Sequence, residues 1–217
     1  MKRIAEPEFM EEAEQVKAYA EADFSTPHDM FVQLFEKKLG KAKGKVLDIG
    51  CGTCDVTIRF ARAFSSCFID AIDGGQNMLN RGKEALCTNG MEKHINPVYC
   101  KLPSKELNNK KYDSIICNSF LHHLPNPTIL WDTIKQVSSP KTSALIMDLM
   151  RPSNKNRAKE IVEMYAKDEA EILKTDFYNS LLAAYTVDEI KEQLISAGLN
   201  LAVEAATDRH LIIYGRL

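Results

Sequence analysis

Short apolar runs alternate with amphipathic helical patterns along the middle of the chain, and this alternation constrains the fold more than any other feature. The predicted strands cover residues 45–49, 67–73, 96–100, 112–118 and 143–149. Strands that alternate with helices imply right-handed crossovers and a parallel sheet covered on both faces. The sequence therefore predicts a doubly wound α/β domain.

The C-terminal part departs from this alternation. Residues 186–198 predict a helix with Thr186 as N-cap, Glu189 at the capping-box position and Gly198 at its end. Two short strand patterns follow and are joined by a tight turn. They predict an antiparallel hairpin at the edge of the sheet.

A chain of 217 residues can bury a core without crosslinks, and we expect a single domain over residues 1–217. Two helical segments are not required by the sheet and are expected to form lids over the strand ends. The expected parts are an N-terminal helical lid (1–44), a core (45–150), a helical insert (151–185) and a C-terminal helix with the hairpin (186–217).

Composition narrows the class of partner. The six cysteines lie in apolar stretches with no secretory leader before them, which predicts reduced thiols in a cytoplasmic protein. No apolar run is long enough to span a membrane. A formal charge of -2 provides no net field to attract nucleic acid, so a small-molecule substrate is favoured. The oligomeric state is left open.

The stretch DIGCGTCD, residues 48–55, supports two interpretations. A Cys-x-x-Cys after a strand at a helix N-terminus is typical of thiol oxidoreductases, in which the dipole lowers the thiol pKa. That chemistry does not need Gly50 or Gly52, whereas a nucleotide loop needs small residues where its backbone approaches the ligand. Asp73 ends the next strand, at the distance where a carboxylate can bind ribose hydroxyls. The nucleotide interpretation is therefore favoured.

The dinucleotide fingerprint G-x-G-x-x-G is absent, because position 55 is Asp55. Over residues 45–217 the chain instead resembles the class I S-adenosylmethionine-dependent methyltransferases. The resemblance is carried by VLDIGCGTCDVTIRFA, AIDGGQNML, YDSIICNSFLHHLPNP and the terminal helix and hairpin. It implies a Rossmann-like sheet of seven strands, the last antiparallel, and S-adenosylmethionine as cofactor.

The resemblance also implies roles for individual residues. Gly50 and Gly52 would let the loop pass close to the cofactor. Asp48 would hold the loop and the methionine ammonium, and Asp73 would bind the ribose. Further residues implied to lie near the cofactor are Cys51, Gly74, Met78, Cys100, Lys101, Leu102, Asn118 and Ser119.

Two positions depart from the family pattern. Cys54 stands where the family often has glycine, and Cys100 stands where it often has an acidic residue. The adenine contacts are therefore less well defined by the sequence than the ribose site.

His122 and His123 follow the fourth strand at its carboxyl end, where ligands bind in such sheets. A histidine there could act as a general base near neutral pH, and both are our catalytic candidates. Alternatively, one or both cap the following loop and pack beneath it. Adjacent side chains on a regular element point apart, so no metal site is predicted.

The expected lids supply the candidate substrate residues. These are Tyr19, His28, Arg151, Tyr178, Tyr185 and Arg209. Aromatic rings with polar tips suit a closed pocket for a small organic acceptor, and arginine suits an anionic group. The alternatives are core packing for the aromatic residues and ion pairing with neighbouring carboxylates for the arginines.

Together these features predict methyl transfer from S-adenosylmethionine to a small molecule, with release of S-adenosylhomocysteine. Two other functions remain open, a non-catalytic cofactor-binding or regulatory module and different chemistry on the sulfonium cofactor. The sequence does not decide whether oxygen, nitrogen, sulfur or carbon is methylated, because all four use the same fold.

Overall fold

A seven-stranded sheet lies at the centre of the computed structural model, which describes residues 1–6 and 12–217. The strands are β1 Gly44–Ile49, β2 Cys67–Asp73, β3 Ile95–Tyr99, β4 Tyr112–Asn118, β5 Ser138–Leu149, β6 Ala202–Ala205 and β7 His210–Arg216. Their order is β3-β2-β1-β4-β5-β7-β6. Strands β1 to β5 are parallel, and β7 runs antiparallel between β5 and β6. The predicted Rossmann-like, doubly wound fold is confirmed.

Eight helices surround the sheet in the described residues. They are α1 Ala13–Glu21, α2 Ser25–Leu39, α3 Asp55–Ala63, α4 Gln76–Asn89, α5 Thr128–Val137, α6 Lys155–Ala166, α7 Glu171–Ala183 and α8 Val187–Ala197. At the start of α8, Thr186 and Glu189 form the predicted capping box, and Gly198 ends the helix with a φ of 69°. Strand β5 begins five residues before its predicted start, because its pairing with β4 resumes beyond an irregularity near Tyr112.

Alternate residues of the central strands enter two separate cores. Leu47 and Ile115 belong to the core formed with α5 and α8, where Trp131 is the largest buried side chain. Val46 and Ile116 belong to the core formed with α2 and α3. A parallel strand buried on both faces is expected to be apolar throughout, and this explains the continuous apolar runs.

The segment 1–44, predicted as a single lid, contains one helix of the lid and one helix of the core. Helix α2 packs in the core, because Phe31 and Phe35 form an apolar stripe at i and i+4. Phe35 meets Phe60 of α3 edge to face, with ring centroids 4.9 Å apart. The predicted N-terminal helix corresponds to α1, and residues 10 and 11 of that prediction lie outside the described residues.

Helices α1, α6 and α7 form the lid beside the carboxyl ends of the strands. Leu149 of β5 packs against Ile161 of α6 and Leu181 of α7. The Gln15 amide of α1 donates to Asp176 of α7 at 2.8 Å.

No helix among the described residues has the length and apolar character to cross a membrane.

Residues 1–6 form a strap across the lid. The Ile4 backbone N–H donates to the carbonyl of Leu182 at 3.0 Å. The Arg3 guanidinium donates to the carbonyls of Ala183, His122 and Leu124. The strap thus ties α7 to the loop that follows β4.

Candidate active site

A cavity of about 460 Å³ lies at the carboxyl ends of the parallel strands, beneath the lid. Ligands bind at this edge in open α/β sheets. The predicted site residues that line it are Tyr19, His28, Asp48, Gly50, Cys51, Gly52, Asp73, Met78, Asn118, Ser119, His122, His123 and Arg209. Another cavity, of about 550 Å³, lies beside β2 and β3 between Phe68 and Lys110. It contains none of the predicted site residues, so the chemistry is assigned to the cavity under the lid.

Asp73 fixes the glycine loop to the end of β2. Its two carboxylate oxygens accept hydrogen bonds from the backbone N–H groups of Gly52 and Gly75, at 2.8 and 2.7 Å. Burial raises the pKa of Asp73, and these N–H groups oppose that rise. Each oxygen retains a further lone pair that a ligand hydroxyl could use. The carboxylate can therefore hold the loop and a ribose at once.

Asp48 lies at the end of β1 and is 2% exposed. Its carboxylate accepts a hydrogen bond from the Thr57 hydroxyl at 2.5 Å. Burial, together with the nearby charge of Asp73, raises its pKa to about 7 despite this bond. Among the described residues no cation pairs with Asp48. A buried, unpaired carboxylate is costly, so the site favours a positively charged ligand group.

Two glycines allow the loop to approach its neighbours. At Gly50 a Cβ would lie 2.5 Å from the Phe120 ring, and φ is +73°. Gly82 of α4 was not identified from the sequence, although a glycine inside a helical pattern is a recognised signal of close packing. A Cβ there would lie 2.9 Å from Cys54 Sγ and 3.3 Å from the carbonyl oxygen of Gly52.

The cysteine pair does not have the electrostatics of a redox motif. Cys51 Sγ and Cys54 Sγ are 3.8 Å apart. The hydrogen bond to Cys54, together with burial and two carboxylates, raises the pKa of Cys51 well above its ordinary value. Reactive thiols require a lowered pKa, so the structure favours the nucleotide interpretation. Cys54 has a φ of +63°, which explains why glycine is common at this position in the family.

Asn118, at the end of β4, offers a buried hydrogen-bond acceptor to the cavity. Its side-chain oxygen Oδ1 is buried and has no hydrogen-bond partner among the described residues. Buried polar atoms are normally satisfied, so this atom points to a donor on a ligand. Ser119 follows with a φ of +52° and donates its N–H to the Met147 carbonyl at 2.9 Å.

Four residues implied by the resemblance do not line the cavity. Gly74 contributes a backbone hydrogen bond to the Asp73 carboxylate. Cys100 and Leu102 pack in or against the α5–α8 core, and Lys101 is exposed. The structure therefore brings the loop residues together but not the segment expected beside adenine.

The Asp148 carboxylate orients His122, which lies on a single 3-10 turn, Leu121–His123. His122 Nδ1 lies 2.5 Å from Asp148 Oδ1, and its backbone N–H donates to the other oxygen at 3.2 Å. Burial acts to lower the pKa of His122, but Asp148 outweighs it and the pKa is raised. The Nε2 atom is left to face the lid.

Glu6 of the strap meets both histidines. Its Oε1 lies 3.4 Å from His122 Nε2 and 3.3 Å from His123 Nδ1. The two imidazole rings lie 4.2 Å apart at 35°, so the expectation that adjacent histidines point apart is wrong. A 3-10 turn does not alternate its side chains as a strand does. No local motif marks Glu6, and sequence reasoning missed it.

Of the candidate substrate residues, Tyr19, His28 and Arg209 lie at the cavity. His28 is buried and its Nδ1 lies 2.6 Å from Asp55. Burial raises the pKa of Tyr19 to about 12, so its hydroxyl is a hydrogen-bond donor at neutral pH. The Arg209 guanidinium stacks on the Tyr165 ring, 3.3 Å from its centroid.

The other three candidates have structural contacts elsewhere. Arg151 is buried and forms an ion pair with Glu189 at 2.5 Å, as expected from the alternative interpretation of the arginines. Tyr185 is buried beneath the Arg3 guanidinium, and Tyr178 packs against the lid core. The structure therefore does not bring these side chains into the cavity.

The sheet order, with an antiparallel seventh strand inserted beside β5, and a cavity over the glycine loop define a class I methyltransferase fold. Residues 47–142 match the family described as a methyltransferase domain. The chain therefore has the fold of the class I S-adenosylmethionine-dependent methyltransferases, and this part of its sequence is similar to a methyltransferase domain.

Two relatives share part of the sequence. Malonyl-[acyl-carrier protein] O-methyltransferase of Halalkalibacterium halodurans is 31% identical over 111 residues, 50% of this chain and 40% of the relative. Demethylmenaquinone methyltransferase of Staphylococcus aureus is 26% identical over 128 residues, 58% of this chain and 52% of the relative. The chain thus matches about half the length of these relatives or less.

Solved structures extend the likeness in fold to nearly the whole chain. A SAM-dependent methyltransferase from Aquifex aeolicus superposes with a TM-score of 0.73 at 18% identity, covering 95% of this chain and 99% of the other. The plantazolicin methyltransferase BpumL, in complex with a triazolic desmethylPZN analog and SAH, gives a TM-score of 0.67 at 14% identity, covering 94% and 90%.

Proposed function

We propose that this protein transfers a methyl group from S-adenosylmethionine to a small-molecule acceptor and releases S-adenosylhomocysteine. The observation that carries the proposal is the polar lining around the glycine loop. Asp73 holds Gly52 and Gly75, Asp48 is a buried carboxylate, and Asn118 Oδ1 is an unsatisfied acceptor. The related methyltransferase crystallised with SAH supports the same cofactor.

The described residues fit this cofactor. Asp48 and Asn118 present negative charge and an acceptor to the same cavity, which suits the ammonium of the methionine part. Asp73 retains lone pairs for ribose hydroxyls. Among the residues that the structure describes, a Cβ at Gly52 would approach only the Met78 methyl group, at 3.5 Å, so this part of the loop is open towards the cavity.

When bound, the cofactor supplies a methyl group that its sulfonium already activates, so the protein must mainly align the acceptor. His122 and His123 border the part of the cavity under α7 and are proposed to hold the polar group of the acceptor. Tyr19 donates a hydrogen bond from the lid. The lid helices exclude water from the transferring methyl. The reduced cysteines are consistent with a cytoplasmic location as part of this proposal.

Calorimetric titration with S-adenosylmethionine and S-adenosylhomocysteine tests the cofactor site. We expect saturable binding that Asp73→Ala abolishes. Asn118→Ala should weaken it about 10- to 100-fold, as for loss of one charge-assisted hydrogen bond. Asn200→Ala, at an exposed position, is the matched control and should bind normally. Absence of binding to folded wild-type protein would refute the proposal.

A panel of small acceptors, with products identified by mass spectrometry, tests the reaction. Methylated acceptor together with S-adenosylhomocysteine supports methyl transfer. Cofactor binding without turnover of a broad panel would favour a regulatory module. A product other than S-adenosylhomocysteine would indicate different chemistry on the sulfonium.

A further inference from the structure

Three side chains that commonly bind metals converge beneath the lid from two distant parts of the chain. Glu6, His122 and His123 each offer one ligand atom, and these atoms all lie within 4.8 Å of one another. The Glu6 oxygen stands 3.4 and 3.3 Å from the two imidazole nitrogens. Ligands that share a tetrahedral ion at roughly 2.0–2.1 Å stand about 3.4 Å apart. Two of the three distances between ligand atoms therefore already match those expected around one shared ion.

The outer contacts of the cluster orient its ligand atoms. Asp148 accepts from His122 Nδ1 at 2.5 Å, which leaves the lone pair on Nε2 facing Glu6. Metal-binding histidines almost always donate their other ring N–H in this way. The Ser180 hydroxyl lies 3.1 and 3.2 Å from the two oxygens of Glu6 and fixes that carboxylate.

The charge around the cluster also favours a cation. The carboxylates of Asp148 and Asp176 interact electrostatically with that of Glu6. The Arg3 guanidinium is the cation that interacts electrostatically with His122. The three carboxylates outnumber the single guanidinium in this largely buried region. A divalent ion would offset this excess of carboxylates.

We propose that Glu6, His122 and His123 form a binding site for a divalent transition metal, with Zn²⁺ the best match to two imidazoles and one carboxylate. His122 and His123 line the cavity, so the fourth coordination position faces the space assigned to the acceptor. A site with three protein ligands and one open position is typical of catalytic rather than structural zinc. The metal site stands on its own geometry, and its role rests on the proposed function.

In that role the ion binds the acceptor through an O–H or S–H group. Coordination lowers the pKa of that group, so its proton is released to solvent at neutral pH. The resulting anion forms a bond to the methyl carbon while the bond from that carbon to sulfur breaks. The electron pair of the broken bond stays on sulfur, which gives neutral S-adenosylhomocysteine and the methylated acceptor.

Metal binding is measured directly on the full chain, without cofactor or acceptor. Protein freed of metal with a chelator is titrated with ZnCl₂ in a calorimeter and with CoCl₂ by visible absorption. We expect one equivalent to bind, with a Co²⁺ spectrum of low-coordinate nitrogen and oxygen ligands. His123→Ala and Glu6→Ala should abolish binding. Asp148→Asn should weaken it roughly 10- to 100-fold, because it only positions His122. His94→Gln, beside Phe68 and away from the cavity, is the matched control.

Three results would overturn the assignment. One is no stoichiometric binding to folded wild-type protein. Another is binding that persists in both His123→Ala and Glu6→Ala. The third is a thiolate charge-transfer band lost in Cys51→Ser, which would move the site to the cysteine pair. Calorimetry with S-adenosylmethionine on the same metal-free protein reports separately on the cofactor site, so failure of one proposal is distinguishable from failure of the other.

Discussion

Replacing Asp48 by asparagine should stabilise the free protein and weaken its cofactor binding. The carboxylate is buried, and its pKa of about 7 stands far above the ordinary 3.8. Asparagine keeps an oxygen for the Thr57 hydroxyl, so the main change is removal of the ionisable group. The unfolded chain ionises at this position near pH 4, whereas the folded chain retains the proton until about pH 7.

The direction of the pH dependence follows from the higher pKa of Asp48 in the folded state. Below about pH 4 both states are protonated and the wild type carries no penalty. Between pH 4 and 7 the unfolded state binds fewer protons, so wild-type stability falls as pH rises. A pKa shift of one unit corresponds to about 1.4 kcal/mol. The shift of Asp48 from 3.8 to about 7 therefore lowers the free energy of unfolding of the wild type by at most roughly 4 kcal/mol above pH 7.

Urea unfolding of wild type and Asp48→Asn from pH 4 to 8.5 measures this directly. The gap in free energy of unfolding should open across pH 4 to 7 in favour of the variant. Affinity for S-adenosylmethionine should fall about 10- to 100-fold, because the ammonium loses a charged partner. Asp168→Asn, at an exposed position of the lid, should shift stability by no more than about 0.5 kcal/mol. Parallel stability curves for wild type and Asp48→Asn would refute the reasoning.

Three further outcomes test other parts of the structure. Gly82→Ala should weaken cofactor binding while leaving the helix formed, because its Cβ would press on the glycine loop; unchanged calorimetric affinity would contradict this. Burial lowers the pKa of His210 to about 4, so the free energy of unfolding should fall by roughly 3 kcal/mol as the pH drops from 6.5 to 4. Urea unfolding of His210→Gln over the same pH range should not show this loss. In native protein at pH 7.5, iodoacetamide followed by mass spectrometry should label exposed Cys87 and spare Cys51, whose pKa is raised well above its usual range; rapid labelling of Cys51 would restore the redox interpretation.

The sequence by itself determined the sheet, the capping of α8 and the cofactor loop. These features depend on neighbours along the chain. Strand patterns, the box formed by Thr186 and Glu189, and the glycines of residues 48–55 are all local signals. Asp73 could be identified too, because the end of the next strand in a parallel sheet must lie beside the first.

Only the tertiary structure decided which polar side chains share the cavity. Arg151 follows β5 in sequence and Tyr185 lies between α7 and α8, yet one pairs with Glu189 and the other is buried beneath Arg3. Glu6 carries no local signal and reaches His122 through the path of the strap. Contacts of this kind depend on how separate elements pack against one another, and neither periodicity nor spacing along the chain encodes that packing.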